Sequence, residues 1–360
     1  MNTVQDHLPS PAPDGTTNDS RTSALITGGA GFIGSHLADH LLAQGHAVTV
    51  IDDLSTGARA NLPASHPRLT FIHAPLAAAL PDIDLASFSH IYHLAAAVGV
   101  RRVVLNPIDA IERNTLDAVA LLRALAQLPS TRTPRTLIAS SSEVYGKSDR
   151  VPFAEGDDAV YGPTTSRRWS YALTKALAEH LALAHHEHAA LPVVIVRLFN
   201  TVGPRQVGEH GMVLPRFVER ALQGLPLEVH ADGSQTRCFC DVRDVVPALQ
   251  ALLDCPAAIG RVVNVGSDAE ISLLDLARLV RDTLASDAGI RFIPYHEALG
   301  PGFEDLPRRR PDLSVIRSLI SFRPKVPLAQ TILDLADDIR CRPSATTAAT
   351  SPRKDAPEHS

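Results

Sequence analysis

The sequence is poor in cysteine, and its few cysteines follow no metal-ligand spacing. Four stand among 360 residues, at positions 238, 240, 255 and 341. We expect reduced thiols in or near a core, which fits a reducing cytoplasm. Histidines cluster at positions 180, 185, 186 and 188, but they fall on several faces of a predicted helix and form no ligand pair with a third partner. No metal site is therefore predicted.

An excess of positive charge and a long apolar run are both missing. The formal net charge is −5, whereas a nucleic-acid partner requires a basic face or stripe. No stretch approaches the roughly 20 apolar residues that cross a bilayer, and the polar N-terminus shows no targeting signal. Neither a nucleic acid nor a membrane is an expected partner, and the predicted compartment is the cytoplasm.

What the sequence does contain is an alternation of short apolar runs and helical patterns. Such alternation predicts an α/β fold with a parallel sheet and crossover helices. The predicted strands are Ala24–Thr27, Ala47–Ile51, Ile91–Ala95, Thr136–Ser140, Val193–Phe199 and Val262–Val265. The predicted helices include Ile33–Gln44, Ile108–Leu128 and Tyr171–His188.

A change of composition along the chain predicts its division into domains. Both ends, residues 1–22 and 342–360, are polar and contain several prolines, so they predict disordered tails. Residues 23–197 predict a main domain, to which residues 236–266 return. After Phe199, glycine, proline and charged residues become frequent. Residues 198–235 and 267–341 therefore predict a second, smaller α/β lobe.

A glycine-rich turn follows the first predicted strand and opens the first predicted helix. Gly28 permits the tight turn, Gly31 lets a pyrophosphate approach the backbone, and Gly34 lets the helix pack against the strand. Phe32 and Ile33 stand in the first turn of the helix, whose free N–H groups and positive dipole end favour phosphate. The motif, in this context, predicts a doubly wound Rossmann sheet that binds a dinucleotide.

An acidic pair, Asp52 and Asp53, follows the second predicted strand at the distance expected of a ribose-binding acid. A carboxylate at this point accepts hydrogen bonds from the ribose hydroxyls and repels a 2′-phosphate. The predicted cofactor is therefore NAD rather than NADP.

A tyrosine and a lysine, Tyr171 and Lys175, stand four residues apart on one face of a predicted helix. An ordinary tyrosine, with a pKa of about 10, is a poor base at neutral pH. A lysine ammonium and a positive nicotinamide ring both favour the phenolate, so we expect the pKa of Tyr171 to fall toward the working range. Together with the glycine turn and the stretch from Ser140 to Gly146, the pair predicts a catalytic site.

With these motifs the chain resembles the extended short-chain dehydrogenase/reductase family, whose members include nucleotide-sugar epimerases, dehydratases and decarboxylases. The resemblance spans about residues 24–333 and includes Tyr92–Ala96 and Arg197–Asn200. It implies that Tyr171 removes a proton from a sugar hydroxyl, that Lys175 holds the nicotinamide ribose, and that Ser141 hydrogen-bonds the same hydroxyl. It also implies cofactor contacts at Leu94, Ala95, Ala96 and Asn114, and contacts with the nucleotide diphosphate at Asn200, Arg237 and Arg309.

The resemblance further implies a nucleotide-sugar substrate, with a UDP-sugar favoured, and a homodimer formed through the helices at residues 108–128 and 171–188. One feature departs from the family. Many relatives carry a Gly-Asp pair after the third strand, where the aspartate contacts adenine, whereas this chain has Phe71–Ala74. That contact is therefore missing or replaced.

A glutamate beside the catalytic serine, Glu143, bears on the reaction. Oxidation of carbon 4 turns a carboxylate on carbon 5 into a β-keto acid, which can lose carbon dioxide, and Glu143 suits proton traffic at carbon 5. The resemblance to UDP-glucuronate decarboxylases extends to Gly162–Trp169 and Gly302–Pro311. Decarboxylation of UDP-glucuronate is the favoured reaction, 4-epimerisation is the alternative, and 4,6-dehydration comes third. A non-catalytic NAD sensor is disfavoured because such proteins typically lose the tyrosine or the lysine.

Overall fold

A computed structural model of the chain describes residues 22–97, 106–208, 212–294, 297 and 306–342. Residues 1–21 and 343–360 of the predicted tails and the stretch Gly302–Asp305 lie outside this description. Within it the strands are β1 Ser23–Thr27, β2 Ala47–Asp52, β3 Leu69–His73, β4 His90–His93, β5 Arg135–Ser141, β6 Val193–Leu198, β7 Thr201–Val202, β8 Leu227–His230, β9 Thr236–Cys238, β10 Cys240–Asp241, β11 Val262–Val265, β12 Glu270–Ser272, β13 Ile290–Ile293 and β14 Arg308–Arg309.

The α-helices of the described residues are α1 Phe32–Ala43, α2 Leu76–Ala79, α3 Pro107–Ala126, α4 Ser170–Ala189, α5 Val213–Leu222, α6 Val242–Asp254, α7 Leu273–Thr283, α8 Ser314–Leu319 and α9 Leu328–Cys341. None of them combines the length and the apolar character that a membrane span requires.

Seven parallel strands form the main sheet, in the order β11-β6-β5-β4-β1-β2-β3. The chain begins near the middle at β1 and moves outward to β3. It then returns to β4 beside β1 and continues to the opposite edge. Such a reversal opens a crevice at the carboxyl ends of the middle strands. The predicted doubly wound Rossmann fold is confirmed.

Helices cover both faces of this sheet because its strands are apolar on both sides. On one face, α1 and α6 bury side chains that include Leu37, Leu41, Val245 and Leu249. On the other face, α2, α3 and α4 bury side chains that include Leu76, Leu121, Leu125 and Ala182. Each fully buried large apolar side chain stabilises the fold by about 1.5–3 kcal/mol. The two layers hold the strand ends rigidly in place.

The second lobe has its own apolar core, separate from that of the main sheet. Helices α5, α7 and α9 bury Phe217, Leu276 and Leu335 against β8 and its neighbours. Three small sheets complete the described part of this region: β7 with β10, β9 between β12 and β14, and β8 with β13.

Two segments pack against a different domain from the one to which the sequence analysis assigned them. β9 pairs with β12 and β14 in the second lobe, although the prediction returned the chain to the main domain from residue 236. Leu313 and Ile316, at α8, pack into the core of the main sheet, although the prediction gave residues 267–341 to the second lobe. A change of composition shows where regular alternation ends. It carries no information about which layer a short element joins.

Candidate active site

A cavity of about 1000 Å³ opens at the carboxyl ends of the middle strands. Its lining includes most of the residues singled out from the sequence: Gly28, Gly31, Phe32, Ile33, Gly34, Asp52, Asp53, Leu94, Ala95, Ala96, Ser141, Glu143, Tyr171, Lys175, Asn200 and Arg309. Asn114 and Arg237 are not among the lining residues. Fold and motif thus bring residues that lie far apart in the sequence into one cavity.

The glycine turn joins β1 to α1 with no space for side chains. Gly28 has φ +72°, and a Cβ there would lie 2.8 Å from the backbone of Ala95. A Cβ at Gly34 would lie 2.3 Å from the carbonyl oxygen of Gly28. Because both contacts involve backbone, neither can be relieved by a side-chain rotation. The turn is therefore built by its glycines and stays open to the cavity.

The N-terminus of α1 fits the pyrophosphate of a dinucleotide. Gly31 is the N-cap, and no side chain caps the first turn of the helix. Phe32, Ile33 and Gly34 form that turn and line the cavity. N–H groups at an uncapped helix start, with the positive end of the helix dipole, bind phosphate oxygens. The residues present therefore fit NAD.

The acidic pair, Asp52 and Asp53, lines the cavity, and Asp52 is hydrogen-bonded to the glycine turn. Asp52 ends β2, and its two carboxylate oxygens accept hydrogen bonds from the backbone of Ala30 at 2.9 Å and of Leu54 at 2.8 Å. Burial raises the pKa of Asp52, and these two hydrogen bonds oppose the rise. Asp53 forms an ion pair with Arg113 at 2.5 Å. Each carboxylate keeps lone pairs that a ribose hydroxyl can use.

Three residues predicted as ligand contacts have hydrogen-bond partners in the backbone. Asn114 accepts a hydrogen bond from the backbone N–H of Ala97 at 2.7 Å and donates one to its carbonyl oxygen at 3.3 Å. It thereby fixes the end of the loop after β4, which lines the cavity. Arg237 donates to the carbonyl oxygens of Thr236 and Leu306 at 2.7 and 2.9 Å. Asn200 lines the cavity and donates to the carbonyl oxygen of Cys238 at 2.9 Å.

The tyrosine and the lysine lie one turn apart on α4 and both face the cavity. Lys175 is buried, and its Nζ donates a hydrogen bond to the carbonyl oxygen of Ala139 at 2.8 Å. Burial lowers the pKa of Lys175 to about 8, and the carboxylate of Glu179 opposes this change. Glu179 is itself held by Arg197 at 2.8 Å and by the hydroxyl of Ser140. This lysine remains a cation near neutral pH.

The pKa of Tyr171 differs from the expectation. Burial raises it, the carboxylate of Glu143 raises it further, and a hydrogen bond with Ser141 acts in the opposite direction. The sequence predicted a fall of this pKa, caused jointly by the ammonium of Lys175 and by the positive nicotinamide ring. The ammonium donates its hydrogen bond to Ala139, and the carboxylate of Glu143 acts against the phenolate. The positive charge of the nicotinamide is the remaining influence that favours the phenolate.

A buried ion-pair cluster, which we call the Glu143 clamp, consists of Glu143, Arg168 and Arg309. Arg168 lies 2.5 Å from one carboxylate oxygen, and Arg309 donates a hydrogen bond to the other at 2.6 Å. All three side chains are nearly buried and line the cavity. Burial alone would raise the pKa of Glu143, but the two guanidinium groups outweigh it and lower the pKa to about 2. The carboxylate is therefore ionised at all working pH values.

Sequence reasoning did not select Arg168 as a site residue. The only signal was its place in the Gly162–Trp169 motif. Arg309, predicted to contact the diphosphate, lines the cavity and donates a hydrogen bond to Glu143. No group of three or more histidine, cysteine, aspartate or glutamate residues is arranged to hold a metal ion within the described ranges.

Comparisons with known proteins show which family the chain resembles in sequence. The model of the NAD dependent epimerase/dehydratase family matches residues 24–266. The chain is 38% identical to a UDP-N-acetyl-alpha-D-glucosaminuronate decarboxylase of Bacillus cytotoxicus, over 84% of this chain and 92% of that protein. It is 34% identical to UDP-glucuronic acid decarboxylase 1 of Danio rerio, over 86% of this chain and 71% of that protein.

Solved structures with the same fold include enzymes with bound NAD. A UDP-glucuronic acid 4-epimerase of Bacillus cereus, in complex with UDP-glucuronic acid and NAD, superposes with a TM-score of 0.76 at 27% identity, over 88% of this chain and 99% of that one. A dTDP-glucose 4,6-dehydratase of Streptomyces venezuelae with NAD superposes with a TM-score of 0.77 at 28% identity, over 88% and 97%. The predicted cofactor, NAD, is confirmed.

Proposed function

The chain belongs to the NAD-dependent epimerase/dehydratase family and is an NAD-dependent enzyme, and from that premise we propose that it decarboxylates UDP-glucuronate. Two kinds of support bear on the substrate. The relatives named above are decarboxylases of UDP-linked sugar uronates. The cavity wall also carries two cationic side chains, Arg168 and Arg309, beside Glu143.

The proposed reaction begins at carbon 4 of the sugar. NAD supplies a hydride acceptor for that carbon when it is bound. Tyr171 takes the proton of the 4-hydroxyl, and Ser141, whose side chain is hydrogen-bonded to Tyr171, orients the same hydroxyl. The resulting 4-ketone makes the carbon-5 carboxylate a β-keto acid. The C–C bond between carbon 5 and the carboxylate breaks, the electron pair passes to the ketone oxygen, and carbon dioxide leaves. Carbon 5 of the resulting enolate takes up a proton. Carbon 4 regains its hydride, and Tyr171 returns the proton to the oxygen, so the net loss is one carbon dioxide.

The observation on which the proposal rests is the Glu143 clamp beside Tyr171. Arg168 and Arg309 are 8% and 7% exposed, so each guanidinium is desolvated and strongly attracts carboxylates. A substrate uronate adds a second anion to this pair of cations and is held by them next to the reacting carbon. The ionised Glu143 keeps a negative charge beside the departing carboxylate, which favours its loss as neutral carbon dioxide.

The test is the product formed from UDP-glucuronate. The purified full-length protein is incubated with NAD and UDP-glucuronate, and the products are resolved by chromatography and mass spectrometry. We expect a UDP-sugar lighter by one carbon dioxide, and no such product from a folded Glu143→Gln variant. Asp287→Asn, at an exposed position between α7 and β13, is the matched control and retains the activity. UDP-N-acetylglucosaminuronate is tested in parallel, because the relative in Bacillus cytotoxicus is named for it.

An isobaric product with a different retention time would instead establish 4-epimerisation. The structural similarity to the Bacillus cereus 4-epimerase favours this second candidate. The first half-reaction at carbon 4 is common to both, so the two differ in what happens at carbon 5. No turnover of either uronate would contradict both proposals.

We also propose that the protein is a homodimer formed through α3 and α4. These two helices pack side by side and leave an apolar surface of large side chains exposed, at Ile108, Ile111, Leu116, Leu173 and Leu177. Contiguous apolar surface of this kind marks an interface, and a twofold axis buries the same surface on both copies. We expect Leu177→Glu to produce a monomer in analytical ultracentrifugation. Leu225→Glu, exposed in the second lobe, is the control that stays dimeric.

We propose a cytoplasmic location, supported by the state of the cysteines. All four are free, and Cys238 and Cys240 are buried. Free thiols persist where the compartment is reducing. Fractionation of cells that express the untagged chain tests this directly.

A further inference from the structure

We propose that Asp117 binds the adenine of NAD by accepting a hydrogen bond from its 6-amino group. The inference rests on the NAD site and is independent of the proposed substrate. It concerns a residue that no motif in the sequence singles out.

Asp117 lies on α3, where its side chain lines the cavity together with Ala74, Pro75 and Leu76. These three residues follow β3 directly. One turn further along α3, Leu121 belongs to the same buried apolar cluster as Leu76. This packing holds the helix against the end of β3, so that Asp117 faces the cavity across from the residues after β3.

This part of the cavity is where the base of a dinucleotide has to lie. The pyrophosphate belongs at the start of α1, and the ribose belongs at the acidic end of β2. β3 is the next strand outward from β2. The base therefore extends beyond Asp52 and Asp53, into the space between Ala74–Leu76 and α3.

Asp117 has a carboxylate that needs a donor. Its side chain is half-buried, and within the described residues no hydrogen bond or ion pair reaches it. Arg113, one turn earlier, is engaged by Asp53 at 2.5 Å and by Asp109 at 2.6 Å. Burial raises the pKa of Asp117 to about 6, Arg113 opposes the rise, and Asp53 adds to it. A desolvated carboxylate without a donor is costly, and an N–H group from a ligand removes that cost.

Adenine offers the matching chemistry, because its 6-amino group is a donor at the edge remote from the ribose. The residues after β3 provide no carboxylate, since β3 is followed by Ala74, Pro75 and Leu76. The acceptor comes from the opposite wall of the cavity, on α3. A hydrogen bond of this type distinguishes adenine from hypoxanthine, which carries an oxygen in place of the 6-amino group.

The experiment is a competition between NAD and nicotinamide hypoxanthine dinucleotide. The full-length protein is equilibrated with an equimolar mixture, separated from free ligand, and denatured, and the released dinucleotides are quantified by chromatography. We expect the wild type to retain about ten times more NAD than analogue. The analogue loses one charge-assisted hydrogen bond, and its affinity falls by about that factor. Asp117→Asn presents an N–H₂ group that suits the 6-oxygen, so the ratio falls to about one or below. Asp287→Asn, the same substitution at an exposed position between α7 and β13, keeps the wild-type ratio.

The outcomes separate this inference from the cofactor assignment. A ratio that is unchanged in a folded Asp117→Asn variant refutes the adenine contact and leaves the NAD site intact. A wild type that retains neither dinucleotide refutes the NAD site itself, and the adenine contact with it. Loss of discrimination in Asp117→Asn alone, with thermal unfolding as in the wild type, establishes the contact.

Discussion

Glutamine in place of Glu143 is expected to destabilise the protein, and the loss is expected to depend on pH. The carboxylate lies between two nearly buried guanidinium groups, and its pKa falls from the ordinary 4.5 to about 2. At about 1.4 kcal/mol for each pH unit, the ionised form contributes about 3 kcal/mol to the free energy of unfolding. Glutamine has the shape of the protonated carboxyl group and lacks its charge. The variant therefore loses about 3 kcal/mol at neutral pH.

The sign of the pH dependence follows from the depressed pKa. The contribution of Glu143 is complete above the ordinary value of 4.5 and is lost as the pH falls toward 2. The difference between wild type and variant therefore narrows in acid. At about pH 3.5, one unit below the ordinary carboxyl value, it shrinks by about 1.4 kcal/mol.

Urea unfolding followed by circular dichroism, at neutral pH and at about pH 3.5, measures both quantities. Asp287→Asn removes an exposed carboxylate from the loop between α7 and β13 and is expected to change the free energy of unfolding by less than about 0.5 kcal/mol at either pH. A deficit of Glu143→Gln that is the same at both pH values would refute the reasoning. So would a variant as stable as the wild type at neutral pH, because the two arginines would then not depend on this carboxylate.

Three further predictions concern the cofactor and the chemistry. Gly34→Ala places a Cβ 2.3 Å from a backbone oxygen, so α1 has to move and NAD affinity falls about tenfold or more by calorimetry. Gly289→Ala, with nothing within 4 Å of its Cβ, leaves the affinity unchanged; equal affinities for both variants would contradict the packing argument. Tyr171→Phe lowers turnover by about 10²–10⁴-fold with unfolding temperature unchanged, and near-normal kcat would exclude the tyrosine as base. Asp53→Asn leaves Arg113 without its 2.5 Å partner and favours NADP relative to NAD about tenfold in competition; an unchanged ratio would show that Asp53 does not select the cofactor.

The main sheet was predictable because its strands are short apolar runs between turn residues. The bounds of β11, Val262–Val265, are those predicted, since a strand buried on both faces is marked by its apolar residues alone. β4 was predicted to reach Ala95 but ends at His93. Leu94 and Ala95 are as apolar as a strand, yet they leave the sheet to line the cavity. Apolar composition does not distinguish a buried strand from the wall of a binding site.

The candidate site was predictable only where a local sequence pattern defines it. The glycine turn and the Tyr171/Lys175 pair are local patterns, so their spacing alone predicts their arrangement. The Glu143 clamp joins residues as far apart as 166 positions in the chain. No local period relates them, and their meeting depends on the second lobe folding over the main sheet. The partners of Arg309 could not be read from the sequence for this reason.

The late position of β11 in the chain affects how the protein is made. β11 completes the main sheet by pairing with β6, but it is synthesised only after the chain has passed through β7 to β10 and α6. A ribosome-bound chain that ends before Val262 therefore presents β6 as an open edge, rich in valine and isoleucine. Unpaired edges of this kind associate with other chains. Fragments that stop at the end of β6 are poor candidates for expression, and the nascent chain is most exposed to aggregation, and most dependent on chaperones, in that interval.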